Sequence, residues 1–407
     1  MSSTLSAPFT LPHRTPAAAQ AMLRLLRHLQ HGTLELQLPD GSHLRVGSGR
    51  ADEPHAAISL HNWKVCSAAL TRGDIGFAES YMDGDWHSPD LAALVRLFIA
   101  NRDSLQGLIY GSWWGGLLYR AKHLLNRNSR QGSRKNIHAH YDLGNDFYRL
   151  WLDQTMNYSS AWFDGHHELP MAQGQHAKVT RALRECGVRR GDAVLEIGCG
   201  WGALAECAAR DFGARVLGVT LSDQQLAWGR ERMAHAGLAE QVELRLQDYR
   251  DIPAQRFDAI VSIEMFEAVG REYWGSFFRT VRDRLKPGAR ACIQSITIRD
   301  DLFERYAGST DFIQQYIFPG GMLPSVAQFH AQAAQAGLKV VRELRFGADY
   351  AETLRRWRHS FLAQEAALAR QGFDQRFMRL WAFYLAYCEA AFDSGNTDVV
   401  QFTLQHA

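Results

Sequence analysis

Apolar and polar positions along the chain fall into three regimes. From Ala17 to His31, Met22, Leu23, Leu25, Leu26 and Leu29 recur at helical spacing, which predicts an amphipathic helix. The stretch LELQLPDGSHLRVG then alternates apolar and polar residues around a Pro-Asp-Gly turn, the pattern of a hairpin. Residues 60–102 read as mainly helical and end in LAALVRLFIANR. After Gly187 the period changes. AVLEIG, RVLGVTL, QVELRLQD, FDAIVSIEM and RACIQSITI are short apolar strands, separated by the helical segments ALAECAARDF, SDQQLAWGRERMAHAG and YWGSFFRTVRDRL. A turn, KPGA, is expected just before the last of these strands. Four or five strands alternating with helices predict an α/β fold with a mostly parallel, doubly wound sheet. Residues 350–395 return to a helical pattern containing RFMRLWAFYLAYCEAAF. The expected organisation is a smaller, mainly helical N-terminal domain over 1–125, a linker over 126–136, and the α/β domain over 137–407.

Composition narrows the possible partners. Of 407 residues, 46% are hydrophobic and 22% charged, ordinary values for a globular chain. Forty-five Lys and Arg against 43 Asp and Glu leave a formal charge of +2, which excludes a nucleic-acid binder that works by bulk charge. That average hides an exception. Between Ser104 and Tyr141 there is no acid, while Arg120, Lys122, Arg127, Arg130, Arg134 and Lys135 follow Trp113, Trp114, Leu117 and Leu118. An aromatic segment running into a basic one suits an anionic membrane surface; a buried helix followed by a solvated linker is the competing reading. Six cysteines without a C-x-x-C pair point to a reducing compartment. With no signal-peptide core and no apolar run long enough to span a bilayer, the expectation is a cytoplasmic protein, peripheral at the inner membrane face.

The candidate chemistry begins where the first strand of the α/β region meets its helix. Glu196-Ile197-Gly198-Cys199-Gly200-Trp201-Gly202 combines a carboxylate with glycines that let the backbone turn sharply and approach a ligand at a helix N-terminus. The glycine spacing differs from the dinucleotide fingerprint. The second strand, moreover, ends in Val219-Thr220-Leu221-Ser222 rather than in an acid that would hold ribose hydroxyls. His138, His140, His166 and His167 lack clustered acids, and no metal is expected there.

These segments occur together with His140-Tyr141-Asp142-Leu143-Gly144-Asn145-Asp146-Phe147-Tyr148, Asn157-Tyr158-Ser159, Gln247-Asp248-Tyr249, Met265-Phe266-Glu267, Tyr316 to Ser325 and Phe346 to Tyr350. In this combination the chain resembles the cyclopropane-fatty-acyl-phospholipid synthases and mycolic-acid methyltransferases, over about residues 137–395. The resemblance implies a Rossmann-like methyltransferase sheet that binds S-adenosylmethionine. Tyr158 and Ser159 would lie at the cofactor's amino-acid end and Gly198, Cys199 and Gly200 along its backbone. Thr220, Leu221 and Gln225 would surround the ribose, and Gln247, Asp248 and Tyr249 the adenine. The implied substrate is the cis double bond of an unsaturated acyl chain in a membrane phospholipid, and the implied product a cyclopropane. A homodimer is admitted.

A weakly nucleophilic alkene needs an electrophilic methyl held close and in line, and the resulting carbocation needs a dry, aromatic-lined pocket. Phe377, Trp381, Phe383, Tyr384 and Tyr387 could form such a wall, although a stripe at helical spacing is more often plain core. Ring closure needs a base. The resemblance implies a bound bicarbonate, whose ligands would map onto Ser160, Glu267, Gln294, Ile296 and Tyr350. Ser160 and Gln294 depart from the family's Cys and His. Glu264 stands where ring-forming members carry Gly, and Ala268 where His is common. Glu264 could therefore be the base itself. Alternatively the cation loses a different proton or is reduced by a partner, giving a methylene- or methyl-branched chain. A methyltransferase of a soluble small molecule and an inactive lipid-binding relative are the remaining readings.

Overall fold

The computed structural model describes residues 15–50, 52–105 and 143–407. The basic, tryptophan-bearing segment, the 125/126 boundary, the linker and His138–Asp142 lie outside the described residues. Those described divide into two compact units: residues 15–105 with Gln375–Phe383, and residues 143–374 with Tyr384–Ala407.

The first unit carries a four-stranded sheet in the order β2-β1-β3-β4, with β1 Thr33–Gln37, β2 His43–Gly47, β3 His55–Leu60 and β4 Trp86–His87. The hairpin expected around Pro39-Asp40-Gly41 is β1–β2. The helix Ala17–Leu26 turns Ala19, Met22, Leu23 and Leu26 inward, as its periodicity requires. Trp86 is fully buried, stacks on Phe77 at 4.2 Å and meets Phe383 edge-on at 6.4 Å. The Arg379 guanidinium lies 4.1 Å over the Tyr81 ring and donates to the carbonyls of Tyr81 and Trp86. These contacts explain why Gln375–Phe383 groups with this unit, and not with the C-terminal stretch in which sequence alone put it.

The second unit holds a seven-stranded sheet in the order β10-β11-β9-β8-β5-β6-β7. Five strands are parallel: β5 Ala193–Ile197, β6 Arg215–Thr220, β7 Val242–Leu246, β8 Phe257–Ile263 and β9 Leu285–Ile298. Periodicity picked out these five because both faces of a parallel sheet are covered and each strand is a near-continuous apolar run. The expected KPGA turn is absorbed into β9, where the pairing with β8 shifts register between Phe257 and Ala259. Two antiparallel strands extend the sheet, β10 Leu338–Arg345 and β11 Thr397–His406. Neither stood out in the sequence, because β10 is half polar and β11 carries Gln401 and Thr403 at fully buried positions. Apolar layers pack on both faces, one around Phe266, Phe277, Phe278 and Phe329, the other around Val179, Leu183, Ala205 and Cys292. All six cysteines are free. No helix among the described residues is long and apolar enough to cross a membrane.

Candidate active site

The chain runs β5, β6, β7 to one side of the sheet and then returns to β8 on the other, so a crevice opens at the carboxyl ends of β5 and β6. There Gly198, Gly200 and Gly202 all take positive φ, +85°, +49° and +84°, and the last caps the helix Ala203–Phe212. A Cβ on Gly198 would lie 2.7 Å from Met265 Cγ, so this position needs glycine twice over. The crevice has a cavity volume of about 150 Å³. Tyr158, Ser159, Gly198, Cys199 and Gly200 line one part of it, and Thr220, Leu221, Gln225, Gln247 and Tyr249 another. The Thr220 hydroxyl donates to Gln225 Oε1 at 3.0 Å, while the cap of the helix Asp223–His235 is Ser222, not Thr220.

Asp248 departs from the expected set. It does not line the crevice, because its carboxylate caps the turn Tyr249–Asp251 and pairs with Arg250 at 2.5 Å. Glu196, by contrast, belongs to the lining. Burial raises its pKa well above the ordinary carboxylate range, and its Oε2 has no hydrogen-bond partner among the described residues. An orphaned buried acceptor beside a glycine cradle is what a ligand with hydroxyl or ammonium donors would complete. In both respects the crevice fits S-adenosylmethionine.

A second cavity, of about 190 Å³, shares Tyr158, Glu264 and Ala268 with the first. Its wall includes Glu267, Ile296, Tyr350, Leu354, Phe318, Met322, Tyr384 and Tyr387. From the helix Gln375–Asp393, then, only Tyr384, Tyr387 and residues beyond them contribute; Phe377, Trp381 and Phe383 belong to the other unit. Tyr158 and Tyr384 share a hydroxyl hydrogen bond of 2.7 Å.

Glu264 follows β8 with φ +49°, a left-handed conformation that costs a residue with a side chain roughly 1–2 kcal/mol. Strain of this kind persists where surrounding contacts over-determine it. Here Glu264 Oε1 accepts from the Ser160 amide at 2.9 Å and from Gln294 Nε2 at 2.7 Å, and Oε2 accepts from the Tyr350 hydroxyl at 2.6 Å. The Glu264 amide in turn donates to the Gln294 carbonyl at 2.9 Å. Three of the positions implied to hold bicarbonate thus hold the carboxylate of Glu264 instead. The other two, Glu267 and Ile296, bond each other: the Ile296 amide donates to Glu267 Oε1. The donors do not fit an additional bicarbonate, because a protein carboxylate already uses them.

Burial raises the pKa of both carboxyls. Glu267 is pushed up to about 8 by desolvation and by the neighbouring Glu264, and its Oε2 has no hydrogen-bond partner among the described residues. Glu264 is raised by desolvation and held down by Lys178, Tyr350, the Ser160 amide and Gln294. With more donors and a cation nearby, Glu264 is the member of the pair that keeps the charge.

Sequence reasoning missed Lys178. It lies on the buried face of the helix Met171–Glu185, donates to Ser159 Oγ at 2.6 Å, and is fully buried. Desolvation lowers its pKa to about 8, with Glu264, Asp153 and Glu196 opposing the shift, so it stays mostly protonated at neutral pH. A lysine at helical spacing among Gly174, Gln175, Val179 and Ala182 was the available signal. Asp349 and Thr353 were also unassigned. Asp349 Oδ2 accepts from the amides of Phe163 and Asp164, and Thr353 Oγ1 from that of Ala161, which pins the loop carrying Ser160.

A mostly parallel sheet with a glycine-lined crevice at its carboxyl edge, closed by an antiparallel pair, is the architecture of the S-adenosylmethionine-dependent methyltransferases that this chain matches. The family model for mycolic acid cyclopropane synthetase matches residues 128–402, and the chain belongs to that family. It is 39% identical over 406 residues to the tuberculostearic acid methyltransferase UfaA1 of Mycobacterium tuberculosis, covering 97% of this chain and 93% of the relative. It is 34% identical over 376 residues to the cyclopropane-fatty-acyl-phospholipid synthase of Escherichia coli K12, covering 90% and 94%. Among solved structures, the cyclopropane synthase MmaA2 from Mycobacterium tuberculosis superposes with TM-score 0.62 at 31% identity, over 67% of this chain and 97% of that one. The mycolic acid cyclopropane synthase CmaA1, complexed with SAH and CTAB, gives 0.61 at 32%, over 67% and 98%. The protein is an S-adenosylmethionine-dependent methyltransferase of the cyclopropane synthase type, and its chemistry is lipid modification.

Proposed function

We propose that this enzyme methylates the cis double bond of an unsaturated acyl chain carried on a membrane phospholipid, and that Glu264 is the base that resolves the resulting carbocation. The observation that carries the reading is the three-donor cage around the Glu264 carboxylate, in the place implied for a bound anion. S-adenosylmethionine, when bound by the crevice around Tyr158, Ser159, Gly198, Thr220, Gln225, Gln247 and Tyr249, supplies the electrophilic methyl. As the S–CH3 bond broke, its electron pair leaving on neutral S-adenosylhomocysteine, the alkene π electrons would form the new carbon–carbon bond and the positive charge would be left on the acyl chain. Tyr158, Tyr384, Tyr387 and Phe318 present aromatic surface to that charge and keep water from it. A proton then passes from the transferred methyl to the Glu264 carboxylate: lost directly, its C–H electrons close the ring onto the neighbouring cationic carbon; lost after a 1,2-hydride shift has moved the charge to the methyl-bearing carbon, they form the methylene branch.

Two features favour a methyl- or methylene-branched product over the cyclopropane. A carboxylate is fixed to the chain at Glu264, where the family resemblance implies that ring-forming members usually carry Gly, and a relative similar over nearly its whole length is named a tuberculostearic acid methyltransferase, not a cyclopropane synthase. The cyclopropane keeps its standing through Glu267 and Tyr350, both of which line the same cavity. Docking on an anionic membrane face is supported by the acid-free segment between Ser104 and Tyr141.

The test is expression in a host free of such lipids, followed by mass spectrometry of the fatty acids. A gain of one CH2 that ozonolysis cleaves supports the methylene product; a gain that resists ozonolysis supports the ring. No change in the lipids of cells holding folded, cofactor-binding protein would overturn the reading.

A further inference from the structure

Gln294 on β9 and Gln401 on β11 stand directly opposite each other in the antiparallel register, and both are fully buried. Gln401 Oε1 accepts from the Arg181 guanidinium at 2.5 Å. Gln401 Nε2 donates to the Lys178 carbonyl at 3.2 Å and to Gln294 Oε1 at 2.9 Å. Gln294 Nε2 then donates to Glu264 Oε1 at 2.7 Å. A guanidinium has no acceptor and a carbonyl no donor, so the Gln401 amide can sit only one way round between Arg181 and Lys178. That orientation turns its second N–H toward Gln294, which must answer with its oxygen and point its own N–H groups at Glu264. Arg181 is itself held, 3.6 Å from Glu185 and over the Trp162 ring.

We propose that Arg181 and Gln401 are positioning residues whose one-way hydrogen-bond relay keeps the donor end of Gln294 on Glu264 and so keeps that carboxylate ionised. This rests on the reading of Glu264 as the base. It accounts for glutamine at 294: an amide with a fixed orientation is a permanent donor toward a protein carboxylate and needs no protonation to act. The other groups facing Glu264 come from separate elements: Lys178 from the helix Met171–Glu185, Tyr350 from the helix Gly347–Leu362, Glu267 from the turn after β8, and the Ser160 amide. Asp153 and Glu196 act on Lys178, and Tyr158 and Cys388 on Tyr350.

The test compares kcat against pH for the wild type, Gln401→Glu and Gln401→Met, using unsaturated phospholipid vesicles and S-adenosylmethionine. Gln401→Glu keeps a partner for Arg181 but offers only acceptors, so Gln294 must reverse and present its oxygen to Glu264. The acid limb should move up by on the order of one pH unit, a tenfold loss of turnover on the old limb that is recovered at higher pH. Gln401→Met is neutral and of similar length, which separates the relay from added charge. It should move the limb in the same direction by less, with KM for both substrates unchanged. An unmoved acid limb in both folded variants overturns the relay. Glu264→Gln separates the two claims. Retained turnover there overturns the base reading and the relay with it, whereas loss of turnover alongside unmoved Gln401 profiles overturns the relay alone.

Discussion

Replacing Glu264 with glycine removes the proposed base and at the same time gives its backbone the residue that conformation favours. At φ +49° the substitution relieves roughly 1–2 kcal/mol of strain. Against this, the Ser160 amide, Gln294 Nε2 and the Tyr350 hydroxyl lose their common acceptor, and each buried donor left unmade costs about 1–3 kcal/mol. The net loss is therefore about 1–8 kcal/mol, towards the lower end where water or an added anion enters the vacated cage and takes up the donors. Turnover should fall roughly 100- to 10,000-fold, the usual contribution of a positioned base and about 3–5 kcal/mol of barrier. The vacated cage is complementary to a small carboxylate or bicarbonate, so added bicarbonate or formate should restore turnover with saturation. Bicarbonate at about 100 times its Kd should also stabilise the variant by about 2.7 kcal/mol, and should leave the wild type unmoved because its cage is filled. The assay is release of S-adenosylhomocysteine from purified protein with unsaturated vesicles, run beside thermal melting with and without bicarbonate. Wild-type turnover in the variant, or a folded, cofactor-binding variant that no small carboxylate rescues, would refute the argument.

Three further outcomes are expected. The pKa of Glu267 in the fold, about 8, lies above the ordinary carboxylate value, so its contribution to stability is present at low pH and lost as pH rises toward 8. Glu267→Gln should consequently melt with the wild type near about pH 5 and above it at about pH 8.5. Gly198→Ala should abolish cofactor binding by calorimetry, since its Cβ would meet Met265 at 2.7 Å in a backbone conformation with φ +85°. Ala391→Phe places a ring in the second cavity, whose wall includes Ala391 while that of the cofactor crevice does not. Lipid methylation should fall at least tenfold, with calorimetric cofactor affinity unchanged; equal losses of both would count against two separate sites.

Much of the second unit is legible in one dimension because its determinants are local. Each parallel strand is a short run buried on both faces, each helix repeats its apolar positions every three or four residues, and the glycine run serves a turn within a few positions of itself. Asp248 shows where local reading fails: its neighbour Arg250, two positions on, takes the carboxylate away from the crevice. β10 and β11 show a second failure. Their polar residues read as surface, yet Gln401 and Thr403 are fully buried because strands distant in sequence satisfy them.

The sequence by itself determined that this chain builds a doubly wound sheet with a glycine cradle, and it exposed Glu264, Ala268 and Gln294 as departures from a ring-forming pattern. What those departures mean was decided only in three dimensions. Ser160, Gln294 and Tyr350 stand 104, 30 and 86 positions from Glu264, and they converge on its carboxylate only once β8, β9 and the helix Gly347–Leu362 have packed. Lys178 and Arg181 are unremarkable letters until burial makes an uncompensated charge costly and forces partners upon them. Propensity and periodicity act over a few residues, whereas a buried charge is settled by whatever the whole fold brings within about 3 Å of it.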